Sequence, residues 1–165
     1  MPIVRILKSL CLCGGLAAGT LPAIAQHRAD LHAPAIHVVY MGGDDCPPCK
    51  AWRQSELPKL EKTEAFKSIR FSYVLKSSRS AVPARFFLPA EVKPYKEQLD
   101  AASAGRTGSP HFALIVNGAV YDYYFGTRSA ASVEEMILAV QNGDPYPFDR
   151  CLKLSASTGQ CAVKG

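Results

Sequence analysis

Two cysteines two residues apart, Cys46-Pro47-Pro48-Cys49, carry the clearest chemistry in the chain. They follow the apolar run Ile36-His37-Val38-Val39-Tyr40-Met41 and a Gly42-Gly43-Asp44-Asp45 turn, so they fall where a strand gives way to a helix. Sulfurs at this spacing can close a small disulfide ring. The first of them lies over the free N–H groups and positive end of the helix, which favours its thiolate. A zinc site would need two further ligands, and no second Cys-x-x-Cys and no His-x3-His follows. A redox dithiol is the leading reading. A purely structural disulfide and metal capture by the same pair are the alternatives, and a loop this short constrains little of the unfolded chain. Pro47 and Pro48 supply neither an N–H nor a cation, and Asp44 and Asp45, read as solvated turn residues, oppose a thiolate. The expected Cys46 thiol is therefore moderately acidic, resting on the helix terminus and the Cys49 N–H. Moderate acidity means a less oxidising disulfide, which favours the reducing direction.

These residues need a scaffold. Ile36–Met41 reads as a strand buried on both faces. Pro47 and Pro48 occupy the first helical turn, where a missing N–H costs least, and the helix runs towards Leu57 until Pro58 kinks or restarts it. Residues 70–75 alternate as a second strand, residues 76–89 are irregular, and residues 91–104 are helical, with Pro94 in the opening turn. Residues 112–116 and 119–125 flank Asn117-Gly118, a strong hairpin turn. Residues 129–141 form an amphipathic helix with Val133, Met136, Ile137 and Val140 on one face. Trp52 and Tyr40 read as core or cleft-wall residues, and His111 as a strand residue facing a helix or solvent rather than a proton shuttle. Arg79, Arg85, Lys93 and Lys96 read as a solvated face around the irregular insert.

Residues 1–25 read as a secretory signal peptide. Arg5 and Lys8 form its basic start, residues 10–25 are uncharged and largely apolar, and Ala23-Ile24-Ala25 is a small-x-small cleavage site. The apolar run is short for a transmembrane span. Export implies a compartment where disulfides persist, and the periplasm is the expected location. Residues 26–165 suffice for one domain with a core. The net charge of +5 falls when Arg5 and Lys8 leave. It is too mild and scattered to argue for nucleic acid or a lipid surface. Four cysteines remain of the six, and an even number in an exported chain suggests two disulfides. Cys151 and Cys161 are expected to form a structural staple in the tail.

The order strand, Cys-x-x-Cys helix, strand, helix, hairpin and closing helix resembles the thioredoxin fold. Gly108-Ser109-Pro110-His111-Phe112 stands directly before the hairpin, where thioredoxin-like proteins carry a cis-proline. Asn117-Gly118 and Gly126 follow at spacings similar to thioredoxin's own turn and bulge glycines. The resemblance covers roughly residues 36–141. It implies an α/β fold with a mixed central sheet of about four strands flanked by helices, behind a short lead (26–35) and ahead of a tail (142–165). It further implies Cys46 as the exposed nucleophile, Cys49 as the shielded resolving thiol, and a cis Ser109–Pro110 bond whose loop lies beside Cys46 and pairs with substrate backbone.

Two departures bear on mechanism. Tyr40 stands six residues before the first cysteine, where many thioredoxin-like reductases keep a buried acid, and Asp45 replaces the tryptophan common before it. An efficient thioredoxin-type proton relay is thereby in doubt. The chain is too short for the helical insertion of a DsbA-like oxidant or the dimerisation domain of a DsbC-like isomerase. It is closer in size to compact periplasmic reductases of the TlpA kind. The implied activity is thiol–disulfide exchange with protein substrates, by a monomer that needs no cofactor and draws on a membrane electron donor. A copper-handling protein using the same cysteines and a non-enzymatic module binding through Ser109-Pro110 are the other function classes.

Overall fold

A computed structural model describes residues 33–165 of the chain. The expected signal segment and residues 26–32 of the lead lie outside the described residues. The elements are β1 (Ile36–Gly42), α1 (Pro47–Ser55), α2 (Leu57–Leu60), α3 (Glu64–Lys67), β2 (Arg70–Leu75), α4 (Lys96–Ser103), β3 (His111–Val116), β4 (Ala119–Phe125), α5 (Ala130–Asn142), β5 (Cys151–Leu154) and β6 (Cys161–Lys164). Short 3-10 turns occupy Arg85–Phe87 and Lys93–Tyr95.

The main sheet has the order β2-β1-β3-β4. β1 and β2 run parallel, whereas β3 is antiparallel to both β1 and β4. Its central strands are apolar on both faces, as a sheet covered on both sides requires. Val38, Tyr40, Phe112 and Leu114 face a core completed by Trp52, Leu60, Val133, Met136 and Ile137, from α1, α2 and α5. Val39, Met41, Val74, Ala113 and Ile115 face the other, with Leu99 and Ala102 from α4. This four-stranded mixed sheet between helices is the thioredoxin-like fold.

Local chemistry explains where the elements end. α1 stops at Ser55, and the chain restarts at Leu57 with Pro58 in the new first turn, because proline cannot give the N–H that a continuous helix needs. Thr63 caps α3, its Oγ1 accepting from Phe66 N–H at 3.2 Å. This short helix is absent from the sequence reading. α4 begins later than expected, since Glu91 is held outside it, accepting a hydrogen bond from Ser72 Oγ at 2.8 Å. Asn117 and Gly118 both take positive φ, 51° and 84°, the conformation that a tight two-residue hairpin demands.

The tail is more than an appendage. β5 and β6 form an antiparallel hairpin, joined by a Cys151–Cys161 disulfide. β5 lies against β4 and α4, and its Cys151 and Leu154 are buried in the second core. Asp122 on β4 is fully buried and accepts from Tyr146 Oη and Cys151 N–H, both at 2.8 Å. The neighbouring Arg128 guanidinium lies between the rings of Tyr124 and Phe148, 4.2 and 3.9 Å from their centroids. Residues 146–151 are thus fixed by a buried polar anchor and a cation–π sandwich.

Candidate redox-active site

Cys46 is the N-cap of α1, in extended conformation, and is bonded to Cys49. The Cys49 N–H points at Cys46 Sγ from 3.2 Å. The Lys50 N–H is taken by the Cys46 carbonyl oxygen at 3.1 Å, and the prolines have none to offer. One donated N–H and the helix end therefore support the Cys46 sulfur from this side. The second wall is the loop before β3. The Ser109–Pro110 peptide bond is cis, and Ser109 O lies 3.6 Å from Cys46 Sγ. The loop is tied to the end of β4 by Gly126 N–H, donating to Pro110 O at 2.9 Å. Cys46, Cys49, Ser109 and Pro110, distant in sequence, are brought together.

Cys46 departs from the sequence expectation in one respect. It was expected to face solvent, but in this disulfide form it is 3 % exposed, against 0 % for Cys49. The Ser109 carbonyl covers it, and its side chain turns inward to meet Cys49.

Beneath the pair, Tyr40 stacks on Trp52 and Tyr73, at 4.8 and 5.4 Å between centroids, and meets Phe112 edge-on at 4.9 Å. Its hydroxyl donates to the Cys49 carbonyl oxygen at 3.3 Å. Burial, with Tyr73 adding, raises the phenol's pKa above its ordinary range. Tyr40 thus fills the place of a buried acid with a neutral group that keeps its proton. Trp52 Nε1 donates to Arg128 O at 2.7 Å, locking α1 to the chain after β4. A cleft of about 320 Å³ opens there between Pro48, Trp52, Thr127 and Arg128.

The two aspartates are less free than the sequence suggested. Asp44 pairs with Arg53 at 2.5 Å. Asp45 accepts from Ser77 Oγ, Ser78 N–H and Ser78 Oγ, each at 3.0 Å. The Ser78 N–H above all holds its carboxyl below the usual range. The charge of Asp44 is offset by Arg53, whereas Asp45, held only by neutral donors, stays ionised and still opposes a thiolate.

Among residues the sequence reading passed over, Lys76 stands out. It lies in the stretch read as irregular, yet it is 5 % exposed. Its Nζ donates to Gly108 O and, at 3.0 Å, to Ser109 Oγ. Burial lowers its pKa to about 8, against the pull of Asp45. A lysine at the end of an alternating strand was the available signal. His111 is fully buried, with Nδ1 2.7 Å from Tyr123 Oη. Burial, aided by the charges of Lys76 and Arg106, lowers its pKa to about 3, so it stays neutral. Of the basic face, Arg85 pairs with Glu97 at 3.3 Å, and Lys96 lies along α4 against Asp100 with a side chain only 16 % exposed.

Cys151 and Cys161 take no part in this cluster. Among the described residues no three His, Cys, Asp or Glu side chains converge as a metal site would require, and no helix is long and apolar enough to cross a membrane.

No protein-family model matches the chain, and no curated protein matches its sequence. Among solved structures, the crystal structure of Trxlp from Edwardsiella tarda EIB202 overlaps 70 % of this chain and 93 % of its own, at 18 % identity and a TM-score of 0.42. Strand order and register, not that partial overlap, define the fold.

Proposed function

We propose that the protein is an exported thiol–disulfide oxidoreductase that exchanges the Cys46–Cys49 pair with protein substrates, working in the reducing direction. The observation that carries this reading is the disulfide at the start of α1, with a backbone N–H on its first sulfur and the Ser109 carbonyl beside it. In the reduced protein the Cys46 thiolate attacks a substrate disulfide, forming a mixed disulfide and expelling one substrate thiolate. Cys49 loses its proton and attacks Cys46 Sγ, releasing the second substrate thiolate and restoring the Cys46–Cys49 bond. Two electrons pass to the substrate, whose thiolates take up two protons, and an external dithiol must then reduce the pair again. Tyr40, neutral and bonded to Cys49 O, does not accept the Cys49 proton, so that proton leaves by another route.

The reducing direction is supported by the sparse stabilisation that the Cys46 sulfur draws from its own helix, a single N–H of α1. Export rests on the residue 1–25 pattern, which supports a periplasmic location.

The test is catalysed reduction of insulin by dithiothreitol, with metal analysis of the purified protein. Acceleration that vanishes in Cys46→Ser supports the reading. Stoichiometric copper without any acceleration would replace it with the metal-handling alternative, and neither activity would leave a binding module.

A further inference from the structure

Among the described residues, Lys76 is the one buried cation at the site. Its own N–H donates to Gly42 O at 3.0 Å, so it sits at the open end of β1. Its carbonyl faces Gly43 so closely that a Cβ there would lie 2.2 Å from Lys76 O and 2.5 Å from Asp45 Oδ1. The Lys76 backbone is therefore pressed against the turn that delivers Cys46. Its side chain spans to the opposite wall, where Nζ donates to Gly108 O and Ser109 Oγ and, at 3.4 Å, to Ser77 O. The ammonium thus holds Ser109 by its hydroxyl, while the Ser109 carbonyl stands 3.6 Å from Cys46 Sγ.

The charges around it are few. From the β1–α1 turn, the ionised Asp45 attracts Lys76 but is also held by Ser77 and Ser78. From β3, His111 is neutral, with Arg106 beyond it as a second cation. All polar partners of Nζ are uncharged oxygens, so the ammonium is incompletely compensated while the cysteines are joined. A thiolate on Cys46 would supply the missing negative charge.

We propose that Lys76 is a positioning residue of the exchange reaction, its ammonium fixing the Gly108-Ser109 segment against Cys46 and favouring the Cys46 thiolate. This rests on the oxidoreductase reading above. When an external dithiol passes two electrons to the pair, the S–S bond breaks, Cys49 takes up a proton, Cys46 stays a thiolate, and Lys76 keeps its own proton. Linkage then requires reciprocity: Lys76 holds its proton more tightly in the dithiol form than in the disulfide form. By favouring the thiolate, Lys76 also makes the pair easier to reduce.

The experiment compares wild type with Lys76→Met and Lys76→Arg, each checked for folding by circular dichroism. Iodoacetamide labelling of the reduced proteins is followed at Cys46 by mass spectrometry across pH. In Lys76→Met the labelling midpoint should rise by about half a unit or more, roughly a threefold drop in thiolate at neutral pH, and the reduction potential should become more negative. Lys76→Arg should recover part of the shift. Equal midpoints in wild type and Lys76→Met, with insulin reduction by wild type intact, overturn the role of Lys76 alone. Absence of insulin reduction in wild type overturns the reading beneath it. Nuclear magnetic resonance titration of 13Cε-labelled lysine in the wild-type protein requires no variant. A higher Lys76 midpoint in the dithiol form supports the proposal, and identical midpoints in both forms refute it.

Discussion

At Cys46 the sulfur receives an N–H from its own helix, and the carbonyl of a loop more than sixty positions later in the chain lies beside it. Such a sulfur should react first, while Cys49, one turn further in and fully buried, should react second. Cys49→Ser is therefore expected to accumulate mixed disulfides with natural substrates, and Cys46→Ser to trap little. Non-reducing gels and mass spectrometry read this directly, and trapping confined to Cys46→Ser would reverse the two roles. In the reduced wild type, alkylation should label Cys46 ahead of Cys49, with a midpoint below the free-thiol value of about 8.5. The four residues gathered here were legible in the sequence because each is marked by identity and spacing: a Cys-x-x-Cys after an apolar run, and a proline before a hairpin. Lys76 and Asp122 were not. A charge is recognised as buried only when the elements that cover it are known, and those come from 32 and 33 positions down the chain in one case and from the tail in the other.

At the scale of elements, the hairpin and α5 were legible, since Asn117-Gly118 and the spacing of Val133, Met136 and Ile137 each leave little choice of conformation. The β5–β6 hairpin was not, because its strands are four residues each and β6 is exposed throughout, giving no alternation to read. The disulfide joining them, closing a loop with a sequence separation of 10, should contribute about 3 kcal/mol through loss of unfolded-chain entropy. A Cys151→Ser/Cys161→Ser double variant should melt earlier yet reduce insulin at the wild-type rate. Loss of turnover in a folded variant would make the tail pair part of the redox path. Asp122→Ala should cost roughly 3 kcal/mol, because it strands the Cys151 N–H and the Tyr146 hydroxyl in the interior. Urea denaturation measures that loss, and a value near zero would mean water replaces the carboxylate.

At the scale of the whole molecule, the buried histidines His37 and His111 are uncharged, and this sets its response to acid. His37 Nε2 lies 2.9 Å from Ser72 Oγ, and Ser72 spends its own proton on Glu91, so Nε2 is the protonated nitrogen. Burial lowers the His37 pKa to about 4, and that of His111 to about 3. Both folded values lie below the unfolded 6.5. As pH falls through 6.5 the unfolded chain gains protons that the folded chain refuses. The stability these sites contribute is complete above pH 6.5 and declines towards pH 4 and 3, by on the order of 3 kcal/mol for His37 and about 5 kcal/mol for His111. Denaturation midpoints at pH 7 and 4 should therefore differ, and His37→Gln should flatten the difference. An unchanged slope in that variant would show that His37 charges freely in the native state.

The contribution of Cys151 and Leu154 to the second core also bears on where the polypeptide can be shortened. A chain ended at the close of α5 would keep every residue of the Cys46–Cys49 site. It would nonetheless uncover part of the apolar surface of β4 and α4 that β5 now covers, and leave the Asp122 carboxylate without two donors. Newly bared apolar area of this kind is what drives chains to stick to one another. Catalytic competence and colloidal solubility are therefore vested in different segments, and the last twenty or so residues guard the second.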